Sequence, residues 1–217
     1  MGKNKIIRLL LGLGLFLGIA GPFFSPLYGD QESWLNNSLN LSLNPWFTLI
    51  LTQEMRSYEF TYADPYMFNL QGGISTKITP RLHAAFLYKR EHVSQPAESN
   101  ENRYTFEAGW KTGLARKISF DLRARAELRR YDISGKDHTR YRFRLRLIYN
   151  GSPGQLQIRP FIATETFGKD DIFSVQKNRL YIGTYIPITR NLEIALNYIW
   201  LNAKDQEDTH IINSGFS

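Results

Sequence analysis

The chain has 217 residues, of which 42% are hydrophobic, 22% charged and 14% aromatic, and its formal net charge is +7. The absence of cysteine excludes a disulfide scaffold, thiolate zinc or iron–sulfur sites, and thiol catalysis. Twelve tyrosines and fourteen phenylalanines exclude a disordered chain, while a mean hydropathy of -0.35 taken alone describes an ordinary soluble protein.

The first segment reads as an export signal. Lys3, Lys5 and Arg8 precede an apolar run that continues to Gly21, followed by small and turn-forming residues. That order describes a secretory signal peptide, and residues 1–29 are assigned to it, with Leu27 and Gly29 flanking the expected cleavage point. The uncharged stretch from Leu9 to Tyr28 is 20 residues long, enough for a membrane anchor. Pro22 and Pro26 interrupt it, however, and no basic cluster follows to stop transfer. Cleavage removes Lys3, Lys5 and Arg8 with no acid, so the remaining 188 residues carry +4 rather than +7. A nucleic-acid partner is therefore not expected.

From residue 33 onward the dominant pattern is alternation at period two, the mark of strands with unlike faces. In chain order the apolar stripes are Leu39, Leu41 and Leu43, then Phe47, Leu49 and Leu51 beyond Asn44-Pro45. Phe68, Leu70, Gly72 and Ile74 follow, then Leu82, Ala84, Phe86 and Tyr88, then Tyr104, Phe106, Ala108 and Trp110. A long stripe runs from Ile118 to Leu128, another from Tyr141 to Tyr149, another through Leu156, Ile158, Pro160 and Ile162, and a last one from Leu192 to Trp200. Residues 174–187 fit either phase: Tyr181, Gly183 and Tyr185 face outward, or Leu180, Ile182 and Ile186 do.

The opposite faces carry charge. Asp121, Arg123, Arg125, Glu127 and Arg129 lie on one strand, Arg140, Arg142, Arg144 and Arg146 on the next, and Arg103, Glu107 and Lys111 on a third. In a soluble sandwich such faces point to water; in a transmembrane barrel they point into the lumen and the apolar stripes meet lipid. The strands run about 10–14 residues, longer than soluble strands and long enough to cross a bilayer at a tilt. Aromatics such as Trp110, Tyr141, Tyr149, Tyr198 and Trp200 sit at stripe ends, where a membrane boundary would place them. Short turns at 79–81, 114–117, 150–154 and 188–190 alternate with longer polar connections at 59–66, 94–101, 132–138, 167–173 and 203–208.

The expected fold is therefore all-β, an antiparallel transmembrane β-barrel covering residues 30–217, in the outer membrane of a Gram-negative bacterium reached through the periplasm. Eleven strand candidates can be read: 34–43, 46–58, 67–78, 82–93, 102–113, 117–131, 139–149, 155–166, 174–187, 191–202 and 208–217. Both ends in the periplasm require an even number, and the 44–45 turn is out of phase with that arrangement. Setting 34–43 aside as a flanking strand gives ten; a strand not recognised gives twelve.

Parity places a lumen charge network of Glu54, Arg56, Glu107, Asp121, Arg123, Arg125, Glu127, Arg129, Arg140, Arg142, Arg144, Arg146, Arg159, Glu165 and Glu193. An unpaired charge in a confined lumen is costly, so arginine–carboxylate pairs that fill the interior are expected. A basic wall that passes anionic solutes is the alternative. A second alternative is a lipid-modifying hydrolase on the outer wall, for which His92 and His138 lie at strand ends near Ser94, Ser134, Asp137 and Thr139. His83 faces inward by parity, and His210 is the fourth histidine. No aligned serine–histidine–carboxylate set, phosphate loop or metal-ligand spacing emerges, and no cofactor is expected. The partners implied are outer-membrane lipid, lipopolysaccharide and the barrel assembly machinery.

The run Tyr141-Arg142-Phe143-Arg144-Leu145-Arg146-Leu147-Ile148-Tyr149, the earlier Gln53-Glu54-Met55-Arg56, then Pro160-Phe161-Ile162-Ala163-Thr164-Glu165 and Asn178-Arg179-Leu180-Tyr181-Ile182-Gly183 together resemble a bacterial domain family of unknown function. The resemblance covers residues 34–217 and implies an outer-membrane β-barrel. It also implies that Arg142, Arg144 and Arg146, then Glu165, then Asn178 and Arg179 occupy the family's recurrent polar positions. It implies no activity. Outer-membrane barrels usually end in an aromatic residue, whereas Phe216 is penultimate here, so either the last strand is atypical or the sequence stops short.

Overall fold

A computed structural model describes residues 30–58, 65–94, 99–132, 137–151, 158–171, 174–204 and 208–217. The signal-peptide segment 1–29 and Ser134 lie outside the described residues. The strands are β1 (Asp30–Ser42), β2 (Phe47–Tyr58), β3 (Pro65–Lys77), β4 (Leu82–Val93), β5 (Ser99–Ala115), β6 (Ile118–Tyr131), β7 (His138–Tyr149), β8 (Arg159–Lys169), β9 (Val175–Thr189), β10 (Leu192–Ala203) and β11 (Thr209–Phe216).

Each strand pairs antiparallel with its sequence neighbours, and the sheet closes where β1 meets β11 in parallel. The barrel thus has eleven strands, neither ten nor twelve. The segment set aside as flanking is a full strand: β1 pairs with β2 from Glu32 to Ser42 and with β11 from Asp30 to Leu35. The even count followed from requiring both ends on one side. With an odd count the first and last strands run the same way, so the closing ladder must be parallel, with evenly spaced, slanted hydrogen bonds. Asp30 and Phe216 therefore lie at opposite rims, and the turn between Ser42 and Phe47 falls in phase with the other short turns. Its backbone is closed by Leu43 N–H donating to Phe47 O at 2.9 Å, and Asn44 Oδ1 caps the amides of Trp46 and Phe47 at 2.8 and 2.9 Å.

Alternation sorts the wall into two faces. Phe106 is 62% exposed, Leu70 56% and Ile182 54% on the outside, whereas Glu127 and Glu165 are 1% exposed on the inside. Apolar side chains this exposed, on nearly every strand, form a belt far beyond what a soluble monomer presents. Trp46, Phe47, Trp110 and Tyr149 border the belt toward the short turns, and Tyr88, Tyr104 and Trp200 toward the long connections. Trp110 meets Phe120 edge-on at 5.9 Å, and Tyr88 meets Tyr104 at 5.3 Å. No described helix is long and apolar enough to cross a membrane, which says nothing of strands.

The ambiguous segment resolves through its neighbours. Tyr181 pairs with Ala163 and Ile199, both buried, so Tyr181, Gly183 and Tyr185 face inward and Leu180, Ile182 and Ile186 outward. Strand boundaries also differ: β5 begins at Ser99 rather than 102, and β8 runs to Lys169 rather than 166, while 155–157 of the expected strand, Leu156 among them, lie outside the described residues.

The closing seam depends on one close approach. A Cβ on Gly215 would overlap the Asn36 carbonyl of β1, so only glycine lets the two backbones come together there. Gly215→Ala is expected to destabilise the barrel by about 1–3 kcal/mol, the usual cost of overpacking. A lowered urea midpoint for the refolded protein checks it; an unchanged midpoint would show that the seam carries no weight.

Candidate functional site: a charge network inside the barrel

Cross-strand register lines up the inward charges in rows. Glu107 of β5 faces Arg125 of β6, which faces Arg142 of β7 and then Phe167 of β8. One step along, Arg123 faces Arg144, then Glu165 of β8, then Arg179 of β9. Lys111, Asp121 and Arg146 make a third row. Two arginine pairs, Arg123–Arg144 and Arg125–Arg142, therefore stand directly opposite each other, which destabilises a ladder unless carboxylates lie between them.

The carboxylates do so as hubs. Glu165 accepts from Arg142 Nη2 at 2.9 Å, from Arg123 Nη2 at 3.0 Å and from the Tyr181 hydroxyl at 2.8 Å, with Arg179 Nη1 at 4.0 Å. Glu127 accepts from Arg140 Nε at 2.7 Å and Arg142 Nη1 at 2.8 Å, with Arg103 Nε at 4.0 Å. Arg142 thus bridges the two most buried acids, an arrangement for which the forked guanidinium is suited and a lysine ammonium is not. Glu107 holds Arg125, lies 3.9 Å from Arg123 Nη1 and 3.6 Å from His83 Nε2. Asp121 is shared by Arg146 at 3.1 Å, Arg144 at 3.3 Å and the exposed Lys111 at 3.6 Å. Glu101 joins Arg103 Nε at 2.6 Å to Arg129 Nε at 2.7 Å. On the opposite wall, Glu54 accepts from Arg56 Nε at 2.6 Å and lies 3.9 Å from Lys89, which reaches Glu91 at 2.7 Å. Arg159 pairs with Glu193 near the short-turn rim.

Aromatic rings join the two walls. The Arg56 guanidinium lies 3.8 Å from the centroid of the Trp34 ring, and that of Arg179 lies 4.8 Å from it, so β1 carries an indole between cations from β2 and β9. Phe167 is likewise approached by Arg142 at 4.9 Å, Arg179 at 4.7 Å and Arg140 at 5.5 Å. Behind Trp34 a small apolar cluster of Ile199, Leu201 and Ile211, with Tyr181 against it, fills the seam side of the interior.

Each of the fifteen residues that parity assigns to the lumen takes part in an ion pair. Sequence reasoning missed Lys89 and Glu101 as members, although the alternation of 83, 85, 87 and 89 already assigns Lys89 inward. Arg179 entered only through the family resemblance. Trp34 gave no signal, because nothing in the sequence distinguishes an indole between two guanidiniums from one at a membrane boundary.

The histidines divide. His83 and His138 face inward; His138 stacks on Tyr131 at 5.5 Å and lies 3.4 Å from Arg129 Nη1. His92 and His210 face outward near the long connections. His92 Nδ1 lies 3.0 Å from Asn100 Oδ1, and His210 stacks on Tyr198 at 5.9 Å. The Ser94 hydroxyl donates to Tyr66 O at 3.2 Å. Among the described residues no cluster of metal-ligating side chains occurs.

The pattern of the family described as Protein of unknown function (DUF2490) matches residues 31–211. The chain belongs to this family. Its match begins at Gln31 and so includes the whole of β1 except Asp30, in keeping with β1 as part of the closed wall. No curated protein matches the chain. Among solved structures it is similar to LpxR from Salmonella typhimurium, with a TM-score of 0.53 and 10% identity over 80% of this chain and 83% of that one. At that identity the likeness concerns the barrel fold alone.

The network makes a graded expectation. Glu165→Ala removes the buried carboxylate that Arg123, Arg142 and Arg179 share and should cost about 3–5 kcal/mol. Glu193→Ala at the solvated rim should cost about 1 kcal/mol or less. Urea unfolding monitored by tryptophan fluorescence measures both; equal costs would mean that the interior is wet enough to screen its ion pairs.

Proposed function

We propose that the protein is an outer-membrane β-barrel of a Gram-negative bacterium, exported by its first 29 residues, whose interior is closed by its own side chains. It acts at its rims, loops and lipid-facing wall, and does not pass solutes through the lumen. The observation that carries this reading is the bridge across the interior: Arg142 between Glu127 and Glu165, continued by Arg179 onto Trp34 and by Trp34 onto Arg56. An eleven-stranded wall encloses a lumen only somewhat wider than one that side chains can fill. The paired charges and stacked rings occupy that width. The exposed apolar belt, bordered by aromatics at both ends, supports a membrane setting, in which outer-leaflet lipopolysaccharide is the lipid that meets the long-connection rim. The barrel assembly machinery is the partner that such a wall requires for insertion.

Planar-bilayer recording tests it. The refolded wild type is expected to give no steady conductance, and Trp34→Ala combined with Arg142→Ala and Arg179→Ala to open one. Steady anion-selective currents from the wild type, lost in Arg144→Glu, would replace this reading with a narrow anion channel.

A second reading, lipid-modifying chemistry on the outer wall, is favoured by His92. Its Nδ1 faces the Asn100 amide oxygen, which fixes the ring and leaves Nε2 open as a base in the manner of a histidine oriented by a third group. Release of fatty acid from lipopolysaccharide by the refolded barrel, abolished in His92→Ala with the fold intact, would establish it. Equal release by the variant would remove it.

A further inference from the structure

The two rims of the barrel differ in charge. Toward the short turns stand Lys77 at the end of β3, Arg81 between β3 and β4, Arg116 and Lys117 between β5 and β6, and Arg190 between β9 and β10. All five are exposed, and none enters an ion pair among the described residues. No aspartate or glutamate occurs in the sequence of the five connections on that rim, 43–46, 78–81, 116–117, 150–158 and 190–191. The opposite rim carries Asp132, Asp137, Asp170, Asp171 and Asp208 beside Arg130, Lys169 and Lys204, and there Arg130 is paired with Asp137 at 3.5 Å.

Apolar side chains accompany the unpaired cations. Ile78 is 55% exposed, Leu114 61% and Ile188 53%, each within or beside a turn that carries a cation. A long cationic side chain beside an exposed aliphatic one suits the boundary between headgroups and acyl chains, where the stem stays in the apolar layer and the charge reaches outward. The cations sit on three separate turns around the circumference. A compact acidic protein would engage one sector of such a ring, whereas lipid surrounds all of it.

We propose that the short-turn rim is a contact surface for anionic phospholipid, with Lys77, Arg81, Arg116, Lys117 and Arg190 binding the phosphate-bearing headgroups of the leaflet on that side. This rests on the membrane reading above. Lysine and arginine near an anionic surface each shift partitioning by about fivefold, and the attraction is screened by salt.

The test uses the refolded barrel in phosphatidylcholine vesicles, with and without phosphatidylglycerol. The comparison protein has all five cations replaced by glutamine: Lys77→Gln, Arg81→Gln, Arg116→Gln, Lys117→Gln and Arg190→Gln. A smaller variant, Arg116→Glu with Lys117→Glu, serves if the larger one does not fold. After gentle extraction, the ratio of the two lipids retained by the protein is measured at low and high salt. The wild type should retain phosphatidylglycerol in preference, lose that preference in high salt, and exceed the five-fold variant by about fivefold or more. Equal retention by wild type and variant, or no preference in the wild type, would overturn the proposal. Displacement of phosphatidylglycerol by soluble polyglutamate of equal charge would do the same and identify a soluble acidic partner. Failure of the wild type to insert into pure phosphatidylcholine, seen as loss of the heat-dependent gel shift, is a separate result that removes the membrane reading and this proposal with it.

Discussion

Charge enclosed within a narrow closed wall is the constraint on which the rest of this structure depends. An inward arginine on a β-barrel has no bulk water to retreat to, and alternation leaves it no choice of face. Glu127 and Glu165 answer the constraint by each serving several cations at once, so that the directly opposed pairs Arg123–Arg144 and Arg125–Arg142 are interleaved with negative charge. The geometry favours arginine over lysine because one guanidinium can address two acids, as Arg142 does. Lys89, whose ammonium is a point donor, occupies the side where Glu54 and Glu91 lie close to it.

The same constraint accounts for the asymmetry of the interior. Charge crowds the wall from β4 to β9, with Glu54 and Arg56 on β2, while Trp34 of β1, Ile199 and Leu201 of β10 and Ile211 of β11 line the interior beside the parallel seam. At the seam a Cβ on Gly215 would overlap the Asn36 carbonyl, and long charged side chains would have to be accommodated beside that contact. Trp34 links the two regimes: it clusters with Ile199, Leu201 and Ile211, and its ring is approached by Arg56 and Arg179. An indole can serve both because its body is apolar and its π-faces attract cations.

Much of this was legible in the sequence, since period-two alternation assigns a face to each residue once a strand is recognised. Parity alone groups the fifteen charges that are found in ion pairs. Strand number was not legible for a physical reason: the even-count rule assumes that both ends of the wall lie on one side, and a parallel closing ladder lifts that assumption. The out-of-phase turn at Asn44-Pro45 was the sign of it, and removing 34–43 to restore the phase discarded a real strand. The face of β9 was hidden because tyrosine and isoleucine alternate there and both suit either side. Its direction is decided by partners far along the chain, Ala163 and Ile199. Arg179 and Trp34 remained obscure because a cation–π stack between β1, β2 and β9 exists only after closure.

Closure also bears on where chemistry can reside. Side chains that neutralise one another inside the wall cannot also be free to bind a solute without breaking the pairs that hold them, and replacing a member leaves its partner charged and buried. The groups without such obligations lie elsewhere: His92 and Asn100 on the outer wall, and the cations of the short turns. Under the proposed reading the interior gives the barrel rigidity and closes it, while interaction falls to surfaces whose side chains are not already committed. The odd strand count sharpens the division, because it sets the two ends of the described chain at opposite rims. Each rim therefore holds one end of the described wall and has its own balance of charge. A barrel with both ends on one side would share those features differently. Here the acidic long-connection rim and the basic short-turn rim are distinct surfaces, held apart by a wall whose inner face is occupied with its own neutralisation.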